Sequence, residues 1–136
     1  MTELDLAKEW IRFAKSDLTT AKHMFDNVNP REIEISCYHA QQCAEKSLKA
    51  YLVSKNVEPP RTHDLLELNK LCMINDSGFS AVKQCCAFLN PYGVHVRYPN
   101  ELVVDDFITK NAIENAQKVF EFCDSLINNI ISDGLC

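Results

Sequence analysis

The sequence has no long apolar run and few residues that break helices. None of its apolar runs approaches the roughly 18–20 residues that a membrane-spanning helix needs. Its three glycines and five prolines fall mostly in short clusters, and the stretches between those clusters have helical apolar spacing. The first residues also lack the basic start and apolar block of a secretory signal. We therefore expect an all-α protein of the cytoplasm, with no membrane segment.

Positive charge and metal-binding motifs are also scarce. The chain carries 14 Lys and Arg against 19 Asp and Glu, so its surface as a whole does not attract nucleic acid, and a nucleotide or RNA contact would need a local basic patch. Seven cysteines are present, but none forms a C-x-x-C pair, and Cys85 and Cys86 are adjacent. This spacing suits neither a disulfide nor a zinc site. We expect no metal and no cofactor, and reduced cysteines that pack in the core.

What the sequence does contain is a series of amphipathic stretches with helical period. A length of 136 residues predicts one domain, 1–136. Asn29, Pro30 and Glu32 form a helix-start signal, Thr62 is a second candidate cap, and residues 94–100 are predicted to be irregular. The apolar spacing predicts helices over about 2–25, 29–55, 62–73, 79–89 and 105–131, which gives an up-and-down antiparallel bundle of four to five helices. The last of them has an apolar face broad enough for more than one neighbour, including a second copy of the chain.

Asp17 interrupts the apolar side of the first predicted helix. A carboxylate there must be paired or raise its pKa, because burying an isolated charge costs several kcal/mol. One interpretation is that Asp17 lies at a gap between helices and reaches water or a backbone amide. The other is that it orients an arginine or histidine from elsewhere in the chain, with Arg97 as one candidate partner.

The stretch YHAQQCAEKSLKAYL, residues 38–52, places a polar strip on the second predicted helix. Read at about 100° per residue, its small and apolar side chains face one way, while His39, Gln42, Lys46 and Lys49 line the opposite face. One interpretation is that the lysines are simply the solvated face of the helix. The other is that the strip lines a cleft or an interface.

His63 and Arg97 are further candidates for binding an anion. His63 stands at the predicted start of a helix, where free backbone amides attract phosphate, and an arginine fork binds the same group. The alternatives are that His63 caps its helix and that Arg97 pairs with Asp17. Our hypothesis is that the strip of the second helix, together with Asp17, His63 and Arg97, forms a polar site for an anionic ligand or an anionic partner surface.

Recognised catalytic motifs are missing from the sequence. It lacks a phosphate-binding Gly-rich loop, H-E-x-x-H and G-x-S-x-G, so no residue is named as catalytic. A metal-independent nuclease built from histidine and arginine remains open, because RNA supplies its own 2′-hydroxyl nucleophile and needs only a base, an acid and charge stabilisation.

The order of these residues resembles the HEPN domain family (higher eukaryotes and prokaryotes nucleotide-binding). The resemblance covers about residues 4–130 and rests on Trp10, Ala14, Asp17-Leu18 and Ala21, on the stretch 38–52, on His63-Asp64-Leu65 and on Arg97-Tyr98-Pro99. It implies a helical bundle that dimerises and is often encoded beside a minimal nucleotidyltransferase in bacteria and archaea. It also implies one of two activities: binding of nucleotides or of that partner, or metal-independent RNA cleavage through an Arg-x(4–6)-His motif.

The sequence departs from the family's ribonuclease motif. Its arginines are Arg12, Arg31, Arg61 and Arg97, and none has a histidine five to seven positions later. The resemblance therefore implies a homodimeric, noncatalytic module that binds nucleotides, a minimal nucleotidyltransferase partner, or both, as in a toxin–antitoxin-like pair. The alternatives are a ribonuclease toxin neutralised by that partner, and a helical adaptor whose polar strip is only solvated surface.

Overall fold

The computed structural model describes residues 2–93 and 104–134, and within them the chain folds into five α-helices. These are α1 (Glu3–Asp26), α2 (Ile33–Ser54), α3 (Leu65–Asn75), α4 (Lys83–Leu89) and α5 (Asp106–Gly134), with short 3-10 helices at Ser77–Val82 and Asn90–Gly93. The described part contains no strand, which confirms the all-α prediction. None of its helices combines the length and the apolar character that crossing a bilayer requires.

Helices α1 and α2 form an antiparallel pair. The Ser36 hydroxyl, near the start of α2, donates to the Ala21 carbonyl near the end of α1 at 2.6 Å. Further along α2, His39 meets Asp17, which lies one turn earlier on α1. Residue numbers therefore rise along α2 as they fall along the adjacent α1. A short connection between neighbouring helices favours this antiparallel arrangement.

Helix α2 runs through the middle of the fold. It packs against α1 and α5, and α3 and the second 3-10 helix cover a further side. Fifteen of its 22 residues are buried, many more than the single stripe of a surface helix. Small residues such as Ala40, Ala44 and Ser47 extend little beyond the backbone, so neighbours approach closely. Most polar side chains of α2 therefore face other parts of the protein instead of water.

The predicted start of the second helix is wrong by three residues, since the N-cap is Glu32 and not Asn29. Helix α2 begins at Ile33 and no side chain caps it, so Asn29 and Pro30 lie in the connection that precedes it. Arg31 in this connection forms an ion pair at 2.7 Å with Asp106, the first residue of α5. The connection thus contacts a distant part of the chain, which a local helix-start signal does not contain.

The starts of the next two helices also differ from the prediction. Asp64, and not Thr62, is the N-cap of α3, because its side chain accepts hydrogen bonds from two backbone amides. The predicted helix over 79–89 is wrong in its first half, since Ser77–Val82 is a 3-10 helix and α-helical geometry begins only at Lys83. Asp76 caps that 3-10 segment through its side chain, which favours the tighter local turn.

Helix α5 has the broad set of neighbours that its apolar face predicts. It packs against α1, α2 and α4, and its span agrees with the predicted helix apart from three additional residues at its end. Contact with a second copy of the chain stays a prediction. Residues 94–100, which were predicted to be irregular, lie outside the described residues.

The cysteines behave as core residues. Burial raises the pKa of the Cys43 and Cys86 thiols to about 12 and that of Cys123 well above its ordinary value, so these thiols stay protonated. Six cysteines in the described part are buried as reduced thiols: Cys37, Cys43, Cys72, Cys85, Cys86 and Cys123. No group of three or more His, Cys, Asp or Glu side chains within residues 2–93 and 104–134 is placed to hold a metal ion.

Candidate functional site

The first polar network joins α1 to α2 around Asp17. His39 and Lys46 stand seven residues apart, two helical turns, so they project from the same side of α2. His39 Nδ1 lies 2.8 Å from Asp17 Oδ1, and Lys46 Nζ donates to Asp17 Oδ2 at 2.6 Å. Both oxygens of a nearly buried carboxylate are thus engaged by α2. Because an ionised carboxylate can only accept, His39 donates through Nδ1.

This network decides between the two interpretations of Asp17. Burial by itself would raise the pKa of Asp17, but the hydrogen bonds from His39 and Lys46 and the positive charge of Lys46 outweigh it, so the pKa lies below the ordinary aspartate value. Asp17 therefore orients a histidine and a lysine, in agreement with the second interpretation. Its side chain does not simply reach water or a backbone amide.

We predict that Asp17→Asn lowers the free energy of unfolding by about 1–3 kcal/mol at neutral pH, because a buried hydrogen-bonded charge pair is lost. The pKa of Asp17 is lower in the folded state than in the unfolded state, where it is near 4, so ionised Asp17 stabilises the fold above about pH 4. This stability is lost as the pH falls through the folded-state pKa. The gap between wild type and variant should therefore shrink below about pH 4. Urea unfolding across pH, with exposed Asp26→Asn as the control, measures it. A gap that stays constant in acid would contradict the prediction.

The second polar network is centred on Glu45, in the middle of α2. The Glu45 side chain is 5% exposed and Lys49 is 10% exposed, and Lys49 Nζ donates to Glu45 Oε2 at 3.1 Å. His63 Nδ1 lies 2.9 Å from Glu45 Oε1. Gln42 Nε2 points to the same oxygen at 3.5 Å. A nearly buried carboxylate thus connects α2 with the segment that leads into α3.

His63 is the part of this network that reaches solvent. Its side chain is 74% exposed, although its Nδ1 is tied to the buried Glu45. Gln41 Nε2 donates to the His63 carbonyl at 3.0 Å, and Gln42 Nε2 donates to Gln41 Oε1 at 2.7 Å. Gly93 comes so close to Gln41 that a Cβ there would lie 2.7 Å from Gln41 Nε2. Side chains of α2 therefore form hydrogen bonds with both the backbone and the ring of His63.

The backbone amides at the start of α3 are already bonded within the chain. Asp64 Oδ1 accepts from the amides of Leu66 and Glu67, and Asn90 Oδ1 accepts from the amide of Leu65. The expectation that these amides are free to bind a phosphate beside His63 is therefore wrong. His63 does not cap the helix either, because its ring bonds to Glu45.

The structure brings most of the predicted strip together, but in two networks. His39, Lys46 and Asp17 form one, and Gln42, Lys49 and His63 belong to the other. Lys49 is buried and Lys46 is ion-paired, so the interpretation of the lysines as a plain solvated face does not hold. Their part in binding a ligand stays a prediction.

Tyr38 lies close enough to both networks to feel their charges. Burial and the nearby negative charges of Glu45 and Asp17 raise the pKa of its phenol, so the hydroxyl remains protonated. The Trp10 ring of α1 faces Lys49, with 5.9 Å between Nζ and the ring centroid. These two half-buried aromatic side chains border the polar face of α2.

Two residues of the site were not predicted, Gln41 and Glu45. Glu45 precedes Lys49 by four residues, the spacing of a favourable helical ion pair, and this was the available signal. No local signal points to Gln41, because its partner at His63 lies 22 residues away. Arg97, which was predicted to complete the site, lies outside the described residues.

Comparisons with known proteins agree with this fold. A family model described as HEPN domain matches residues 7–126. The structure is similar to that of ST0689, an archaeal HEPN homologue, with 24% identity, coverage of 89% of this chain and 97% of that one, and a TM-score of 0.70. It is also similar to TT1696 from Thermus thermophilus, with 21% identity, coverage of 88% and 96%, and a TM-score of 0.73. At these identities the likeness concerns the fold alone, and no curated protein matches the sequence.

Proposed function

The chain belongs to the HEPN domain family, and we propose that it is a noncatalytic binding module. In this proposal it acts in the cytoplasm as a homodimer that binds nucleotides, a minimal nucleotidyltransferase partner, or both, as one member of a toxin–antitoxin-like pair. The observation that carries the proposal is the Glu45 network, in which buried polar side chains hold the exposed ring of His63 in one place.

The energetics of the network support a role in recognition. Burying a carboxylate and an ammonium group costs several kcal/mol per ion, and well-packed apolar residues often stabilise a core equally well. Glu45 and Lys49 are both nearly buried, and their hydrogen bonds end at a solvent-exposed histidine. A recognition role accounts for a polar core of this kind, whereas core packing alone does not require it.

The alternative of a ribonuclease has less support. The sequence lacks an Arg-x(4–6)-His motif. The described part of the site supplies no arginine to stabilise a phosphodiester transition state, as such a nuclease requires.

The homodimer in this proposal follows from the resemblance to the family. Phe107 at the start of α5 is 75% exposed and Ile35 at the start of α2 is 42% exposed. Single exposed apolar side chains of this kind are common on monomeric proteins, so they do not by themselves indicate an interface.

A thermal-shift panel of nucleotides and short RNAs, with RNA integrity checked in the same samples, tests the proposal. A ligand at about 100 times its Kd adds about 2.7 kcal/mol and raises the melting midpoint by several degrees. We expect His63→Ala, which removes the exposed ring held by the Glu45 network, to reduce this shift and the exposed control His23→Ala to keep it. Degraded RNA would favour the ribonuclease, and no shift together with no captured nucleotidyltransferase would contradict the proposal.

A further inference from the structure

The charges of the described site residues are balanced within the chain. Lys46 Nζ lies 2.6 Å from Asp17 Oδ2, and Lys49 Nζ lies 3.1 Å from Glu45 Oε2. Each ammonium group therefore already has a carboxylate at ion-pairing distance, and a phosphate would compete with that carboxylate for it. Since the amides at the start of α3 are also bonded, the part of the site that the structure describes offers no ready phosphate position.

His63 offers a different kind of contact. Its Nδ1 lies 2.9 Å from Glu45 Oε1, and because an ionised carboxylate can only accept, Nδ1 carries the proton of this hydrogen bond. In the neutral ring Nε2 is then left as an acceptor, on the side of the imidazole away from Glu45. With 74% of the side chain exposed, that nitrogen is open to a ligand.

The network around His63 fixes where this acceptor points. Glu45 accepts a hydrogen bond from the ring, and Gln41 donates one to the backbone carbonyl. Lys49 donates in turn to Glu45, and Gln42 donates to Gln41. An exposed histidine without such support would sample several rotamers and lose entropy on binding. The polar core of α2 thus preorganises one hydrogen-bond acceptor at the protein surface.

We propose, as a step that rests on the proposed function, that the site recognises the nucleoside part of a nucleotide instead of its phosphates. His63 Nε2 accepts a hydrogen bond from an N–H of the base or an O–H of the ribose. Glu45 acts as the positioning residue that sets the tautomer and the direction of the ring. The affinity of the site for a nucleotide then depends little on the number of phosphates in the ligand or on the salt concentration, because binding replaces few ion pairs.

Calorimetry with the complete chain tests this inference. The probes are the four common nucleosides with their mono-, di- and triphosphates, and inorganic phosphate and triphosphate alone. We expect Kd to vary by less than about threefold from nucleoside to triphosphate and between low and moderate salt, with no binding of the inorganic anions. His63→Ala should weaken binding about five- to tenfold, the loss of one hydrogen bond.

Substitutions distinguish a role of His63 in ligand binding from a role in folding. His23→Ala is the matched control, because His23 is exposed on α1 and bonds only locally to Asn27. His63→Gln retains a side-chain acceptor and should recover part of the affinity. An affinity that rises about tenfold with each phosphate, or that ignores His63→Ala, would overturn the inference and leave the proposed nucleotide binding intact. If no nucleoside or nucleotide binds, the inference falls together with the nucleotide-binding part of the proposed function, and co-purification then decides the partner-binding part.

Discussion

Replacing Glu45 by alanine is expected to lower the free energy of unfolding by about 3–5 kcal/mol, the range measured when one partner of a buried ion pair is removed. Lys49 would remain in its place with 10% of its side chain exposed and without the carboxylate that now lies 3.1 Å away. Gln42 and His63 would lose the same acceptor. Chemical denaturation followed by far-UV circular dichroism measures the loss.

A double variant distinguishes an unpaired charge from a packing defect. In Glu45→Ala/Lys49→Met the buried ammonium is gone as well, and replacing both members of a buried pair is often nearly neutral. We therefore expect the double variant to be more stable than Glu45→Ala. Glu114→Ala, at an exposed position in α5, is the matched control and should stay within about 0.5 kcal/mol of wild type. A double variant no more stable than the single one would show that the charge pair is not what Glu45 contributes.

The same residue shows how far the sequence could predict the site. A helical wheel assumes one buried face and one wet face, and α2 violates that assumption because other elements cover most of its circumference. The strip of His39, Gln42, Lys46 and Lys49 was predicted to line a cleft or an interface, and this stays a prediction. Its division into two networks was not predictable, because the partners at Asp17 and His63 are about 20 residues away along the chain.

The fold was more predictable than the site. The helical period of the apolar residues is a local property, and it placed the long helices α1 and α5 to within a few residues. The errors occurred at helix starts. Asp64 and Asp76 provide side-chain caps that were not predicted. The connection before α2 contains an ion pair from Arg31 to the distant Asp106, and no window of neighbouring residues contains that contact.

The second large effect is expected at Phe79, which the sequence placed in an α-helix and the structure places in the 3-10 segment before α4. Its ring is fully buried, with its centroid 4.5 Å from that of Tyr51 in α2 and 4.9 Å from that of Phe122 in α5. A short segment therefore fills the space between two long helices with one aromatic side chain. Phe79→Ala should cost about 3–5 kcal/mol through lost burial and the cavity that remains.

The matched control for this prediction is Phe13→Ala, because Phe13 lies on α1 with nearly half of its surface already exposed. Its loss should cost about 1 kcal/mol or less, since little apolar area returns to water. Phe79→Leu should lie between the two, as it keeps most of the volume but loses the aromatic contacts with Tyr51 and Phe122, worth about 0.5–1.5 kcal/mol each. Equal losses for Phe79→Ala and Phe13→Ala would mean that the 3-10 segment does not anchor α2 to α5. In that case the direct contacts of α2 with α1, α3 and α5 would hold α2, and with it the two polar networks, in place.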